Sequence, residues 1–132
     1  MKRNSILSIC VALLLMATLS SFVQGDKTMT KENGMTIINT KNIGKHIEGY
    51  AGTTPLKIYI KKNKVVKVEA LPNQETPKFF ARAAQILDSW NGKTVDKALK
   101  AQVDGVTGAT YSSDAIKENV KVALKYYKEH KR

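Results

Sequence analysis

Leu56-Lys57-Ile58-Tyr59-Ile60-Lys61-Lys62-Asn63-Lys64-Val65-Val66-Lys67-Val68-Glu69-Ala70 decides the fold. Leu56, Ile58 and Ile60 alternate with Lys57, Tyr59 and Lys61, which is the period of a strand with one face in water. Val66, Val68 and Ala70 repeat the alternation after Lys62-Asn63-Lys64. The stretch reads as a β-hairpin turning at Asn63, with those six apolar residues on one face. A lone hairpin is marginal in water, so that face requires a cover.

The cover is helical. Thr76-Pro77 reads as an N-cap followed by proline at the first helical position, and Phe79, Phe80, Ala83, Ala84, Ile86, Leu87 and Trp90 form a broad apolar stripe that Asn91-Gly92 ends. A short helix is expected from Thr94 to Ala101. A longer one runs from Ser113 to about His130, with Ile116, Val120, Ala123, Leu124 and Tyr127 on one side and Lys117, Lys121, Lys125 and Lys128 mostly on the other. Upstream of the hairpin, Thr36-Ile37-Ile38-Asn39 is a short β-prone run, and His46 to Gly52 reads as a second strand ending in a glycine-rich bend. The whole is an α+β fold: a small antiparallel sheet, made of the hairpin and short N-terminal strands, covered by about three helices in a single domain.

The first 25 residues have a different character. A basic head, Met1 to Ser5, leads into an apolar run from Ile6 to Leu19 and a polar tail ending at Gly25, the outline of a secretory signal cleaved before Asp26. An uncleaved membrane anchor is the alternative, because Ile6 to Val23 is about long enough to span a bilayer. Cys10 stands too early for lipoprotein processing, and Ile9 before it is not small. Residues 26–35 are polar and aperiodic and are expected to be a flexible lead, with the folded domain over residues 36–132. The expected location is extracytoplasmic, with the N-terminal segment the only contact with membrane.

Composition narrows the chemistry. The one cysteine of the chain lies in the leader, so the mature domain has no disulfide and no thiol chemistry, and any redox role requires a bound cofactor. The two histidines, His46 and His130, are far apart in sequence and do not suggest a metal site. The formal charge of the full chain is +11, and only Lys2 and Arg3 leave with the leader. A balance of that size favours anionic partners. The lysines are dispersed and not gathered with aromatics into a groove, which argues against nucleic acid and leaves a solvated surface able to steer acidic partners.

One segment is dense in hydroxyls: Asp104-Gly105-Val106-Thr107-Gly108-Ala109-Thr110-Tyr111-Ser112-Ser113. Gly105 and Gly108 permit a tight turn and close approach of a ligand, and Ala109 keeps the bend uncrowded. Ser113 followed by Asp114 reads as an N-cap with an acidic first turn, so the loop presents its hydroxyls beside the positive end of a helix, where a phosphate is favoured. From residues alone two readings stand: a polar turn that caps a surface helix, or an anion site.

The string Asp104-Gly105-Val106-Thr107-Gly108-Ala109-Thr110 resembles the flavinylation motif of the FMN-binding domain family, which includes the C subunit of the sodium-translocating NADH:quinone reductase and the G subunit of the Rnf complex. Glu75-Thr76-Pro77, after the hairpin, is similar to that family's Glu-Thr-Pro element, and Gly49-Tyr50-Ala51-Gly52 to its Gly-Tyr bend. The three elements occur in the family's order over roughly residues 45–125. Two positions depart from the pattern: Lys78 stands where the family commonly has glycine, and Pro72-Asn73-Gln74 where it often has a histidine.

The resemblance implies FMN held covalently by a phosphoester to Thr110. It implies a separate Mg²⁺-dependent flavin transferase that moves FMN from FAD, and electron exchange between a membrane redox complex and an acceptor. It places Gly105, Gly108 and Ala109 where the phosphate and the transferase approach, Thr107, Ser112 and Ser113 as hydrogen-bond partners of phosphate or caps of the helix, Asp104 as a loop-positioning residue or a transient Mg²⁺ contact during loading, and Glu75, Thr76 and Pro77 near the isoalloxazine ring. On this reading the domain is an electron carrier more than a stand-alone enzyme. The alternatives are a secreted basic module for anionic cell-surface polymer and an oxidoreductase domain that binds FMN noncovalently.

Overall fold

A computed structural model describes residues 27–131; the leader expected over residues 1–25 lies outside the described residues. Four antiparallel strands form one sheet in chain order: β1 Met29–Glu32, β2 Met35–Asn39, β3 Leu56–Lys61 and β4 Lys64–Ala70. The helices are α1 Thr40–Ile43, α2 Pro77–Ala83, α3 Val95–Lys100 and α4 Thr110–His130, and a 3₁₀ helix over Ala84–Trp90 continues α2. The α+β architecture in a single small domain is as the alternation and the apolar stripes require.

The two hairpins share one device. Lys62 and Asn63 between β3 and β4 have φ of 50° and 62°, and Asn33 and Gly34 between β1 and β2 have φ of 52° and 77°. Two consecutive left-handed residues make the turn whose twist matches that of the strands it joins. Asn33-Gly34 is the strongest short hairpin signal in the chain, and it folds Met29–Glu32 onto β2 with Thr30 opposite Ile37. The expected flexible lead is therefore a paired strand over that span.

The core lies between one face of the sheet and α4. Ile38, Ile58 and Val68 sit side by side across three strands, and Ile60 pairs with Val65 on the next buried rung. Ile116, Val120, Ala123 and Leu124 of α4 are fully buried in the same cluster, with Ile86 and Trp90 of the 3₁₀ helix beside β4. The β3–β4 register shifts between Tyr59 and Ile60, so Tyr59 opposes Lys67 while Ile60 opposes Val65. Val66 is left over. This bulge turns Val65 inward and Val66 outward, the reverse of the simple alternation, because one extra residue offsets the turn end of the strand from the rest, where Val68 keeps its buried face.

Three further expectations are corrected. His46 to Gly52 forms no strand: it holds a tight turn in which Gly49 N–H donates to Gly52 O at 2.7 Å, with one isolated bridge between Glu48 and Thr53. The apolar stripe from Phe79 to Trp90 is an α-helix only to Ala83, and the tighter 3₁₀ winding beyond it brings both Ile86 and Trp90 to the sheet. The last helix starts at Thr110, three residues before Ser113.

Buried polar groups stitch the crossing segment before β3 to its neighbours. Thr40 Oγ1 accepts from Leu56 N–H at 2.9 Å, and the Asn119 side-chain amide donates to Thr54 O at 3.1 Å and to Ala115 O at 2.9 Å. On the surface Lys128 Nζ meets Asp96 Oδ1 at 2.7 Å, joining α4 to α3 and holding the Asp96 carboxyl below its ordinary range. Among the described residues no helix is long and apolar enough to cross a membrane.

The bulge makes a contrast that urea unfolding can check. Leu124→Ala, at a fully buried position, is expected to lower stability by about 2–5 kcal/mol. Val66→Ala, on the outward side of the bulge, should stay within about 0.5 kcal/mol of the parent. Equal losses would contradict the shifted register.

Candidate functional site

The site begins with one carboxylate. Glu75 is 5% exposed and takes three hydrogen bonds from two remote segments. Its Oε1 accepts from Tyr50 N–H at 2.7 Å and from the Ser112 hydroxyl at 2.8 Å, and its Oε2 accepts from Ala51 N–H. Asn73 supports it from behind, its Oδ1 accepting from Glu75 N–H at 3.0 Å. Glu75 thus ties the bend at residues 49–52 to the first turn of α4. Gly49 makes room for it, since a Cβ on that residue would lie 1.9 Å from Glu75 Oε1.

This tie builds a cleft of about 420 Å³, inside the range of about 300–1,000 Å³ usual for small-molecule sites. Tyr50, Phe79 and Tyr111 form its apolar walls, and Glu75, Thr76, Gly108, Ala109, Thr110 and Ser112 complete the lining. The three aromatics are 77%, 45% and 67% exposed, and with Val66 they are the exposed large hydrophobic residues among those described. The rings of Tyr50 and Tyr111 are tilted against each other with centroids 6.2 Å apart. Three of four such residues at one cleft is a concentration that a solvated surface does not need.

Thr110 is exposed at the cleft as the first residue of α4. Its helix start carries no side-chain cap: the N-cap is Ala109, and the Ser113 hydroxyl, expected in that role, is fully buried and accepts from Val106 N–H at 3.1 Å instead. Ser113 therefore closes the loop on itself and caps none of the first-turn amides beside Thr110. Gly108, at φ 84°, gives the turn before it a conformation that suits glycine.

Of the residues singled out in the sequence, the fold thus brings Thr110, Gly108, Ala109, Ser112, Glu75 and Thr76 to one cleft. Asp104, Gly105, Thr107, Ser113 and Pro77 are outside its lining. Asp104 and Thr107 are exposed on the loop, Gly105 packs against Ser113, and Pro77 opens α2. Glu75, expected beside a ring, has its carboxylate oxygens engaged by the scaffold. The aromatic walls are what residue patterns missed: Phe79 read as core, and Tyr50 and Tyr111 carried no periodicity. Among the described residues no group of three His, Cys, Asp or Glu side chains is placed to hold a metal ion.

Glu75→Ala strands three donors and should lower stability on the order of 3 kcal/mol in urea unfolding. Gly49→Ala drives a methyl into the same carboxylate and should also destabilise. Combining the two should lose clearly less than the sum, because the clash disappears with the carboxylate; additive losses would place the two residues in independent roles.

The model of the FMN-binding domain family matches residues 49–125, a span that contains every residue of the cleft. The G subunit of the ion-translocating oxidoreductase complex of Aliivibrio fischeri (strain MJ11) is 34% identical over 112 residues, covering 70% of this chain and 53% of the relative. The chain therefore spans about half the length of that curated relative. No solved structure matches it. With a family match over more than half of its length, and a cleft within the matched span, this chain belongs to the FMN-binding domain family.

Proposed function

We propose that this protein is an extracytoplasmic electron carrier whose FMN is joined to Thr110 by a phosphoester. The observation that carries the reading is the meeting, at one cleft, of an exposed hydroxyl at an uncapped helix start with three exposed aromatic side chains. The residues fit the two ends of the cofactor. Tyr50, Phe79 and Tyr111 offer apolar surface for stacking a planar ring system, and the start of α4 suits its phosphate. FMN supplies the capacity to take up and release one or two electrons.

Covalent attachment answers a retention problem. A helix start contributes about 0.3–1 kcal/mol toward an anion, whereas micromolar affinity needs about 8 kcal/mol. An open cleft in a small domain outside the cell would lose a free cofactor between turnovers. A flavin transferase using Mg²⁺ and FAD resolves this. The bond between Thr110 Oγ1 and the flavin-side phosphorus forms, the pyrophosphate bond breaks, AMP leaves, and the hydroxyl proton passes to the transferase. The role of Thr110 is to present that oxygen; Gly108 and Ala109 keep the approach free of bulky side chains. Exchange of electrons with a membrane redox complex is supported by the likeness to a component of an ion-translocating complex, and the basic surface favours an acidic partner. The apolar leader, Ile6 to Leu19, supports placement outside the cytoplasm.

Coexpression with a flavin transferase tests the attachment. Intact mass should rise by one FMN moiety in wild type and in Thr110→Ser, and in-gel flavin fluorescence should survive denaturation. Thr110→Ala should show neither. Modification that persists in Thr110→Ala would move the site to Thr107 or a serine, and fluorescence lost on denaturation would mean noncovalent binding. A second test addresses the walls. Phe79→Ala, at an exposed position, should leave the unloaded protein within about 0.5 kcal/mol of wild type and reduce the gain in melting temperature that loading brings.

A further inference from the structure

We infer that Arg82 pairs with the flavin phosphate at Thr110 and so sets the rate at which the domain is loaded; the inference rests on Thr110 being the attachment site. Arg82 lies in the last turn of α2, remote in sequence from the loop. In space it meets that loop at Gly108: a Cβ built on this glycine would stand 3.3 Å from Arg82 Nη1. The guanidinium is thereby packed on the backbone two residues before Thr110, and any side chain at position 108 would push against it.

Two facts distinguish this cation from the others. Among residues 27–131 Arg82 is the sole arginine; every other permanent side-chain cation there is a lysine. Lysine serves well as a solvated charge, whereas a planar guanidinium is suited to two parallel hydrogen bonds with a phosphate. Arg82 is also exposed, and among the described residues it has no carboxylate partner, while Lys67, Lys117 and Lys128 each have one. An unpaired fork resting on the turn that precedes the acceptor hydroxyl is placed to meet the anion that arrives there. The phosphodiester left on Thr110 keeps one negative charge, so the pairing persists after AMP has gone.

The test follows loading of the purified, unloaded protein by FAD, Mg²⁺ and a flavin transferase, read as intact mass against time. Arg82→Gln is expected to load about ten- to a hundredfold more slowly than wild type, the weight of a charge-assisted hydrogen-bond pair. Arg82→Lys should recover part of the rate, and the control Lys93→Gln, with the same change in net charge, should load like wild type. The ³¹P resonance of fully loaded protein gives a readout independent of rate: it should move in Arg82→Gln and not in Lys93→Gln. An Arg82→Gln protein that loads at the wild-type rate, a Lys93→Gln protein slowed equally, or an unmoved resonance would overturn the role of Arg82. A wild-type chain that gains no mass would instead reject the attachment at Thr110 itself, so the two failures are distinct.

Discussion

The Glu75 carboxylate is the constraint on which the rest of the site depends. A polar group this deeply buried is tolerated only when its oxygens are supplied with donors, and here the donors come from the bend at residues 49–52 and from the first turn of α4. The bend belongs to no strand or helix, and the first turn of α4 lies ahead of the apolar stripe that anchors that helix. Tyr50 follows from the first tie, because its own amide is a donor, and Tyr111 from the second, because it precedes the bonded Ser112. The 6.2 Å spacing of the two rings is thus a consequence of one side chain that is remote in sequence from both. A residue whose type suggests chemistry serves here as a fastening.

Behind that fastening the fold divides labour in the usual way. The sheet and α4 hold the apolar core and give a rigid frame, while the cleft is assembled from chain that lies between regular elements or at their first residues. Thr110 stands at the border. It belongs to α4 by its backbone and to the cleft by its side chain, so its hydroxyl is held with the precision of a 21-residue helix and keeps the exposure of a loop.

What is legible in the residues follows the same division. The alternation of Leu56, Ile58 and Ile60 and the stripe of Ile116, Val120, Ala123 and Leu124 are periodic signals generated by burial, and both correspond to the core found. The inward turn of Val65 is not legible, because a bulge is set by register against a partner strand and leaves no mark on its own strand. β1 is too short and polar to show alternation, so only its turn, Asn33-Gly34, announces it. At the site, Thr110 and Gly108 can be found by motif, since the order of residue types is the signal. Phe79 cannot, because exposure at a cleft and burial in a core demand the same kind of side chain. Ser113 misleads for a similar reason, a hydroxyl before a helix being equally suited to cap it or to close the loop ahead of it.

The bulge and the short first strand bear also on how the molecule behaves among its own copies. A sheet of four strands has two margins, each a row of backbone groups on which another chain could grow. One margin is β1, four residues long with Lys31 and Glu32 along it. The other, β4, is bent by its extra residue and has its first backbone groups occupied, Val65 N–H by Lys93 O and Val65 O by Gly92 N–H. Both margins are thereby blunted against edge-to-edge growth. Three aromatic side chains stand open to solvent at the cleft, while the polymerisable part of the architecture has been shortened, charged or already paired.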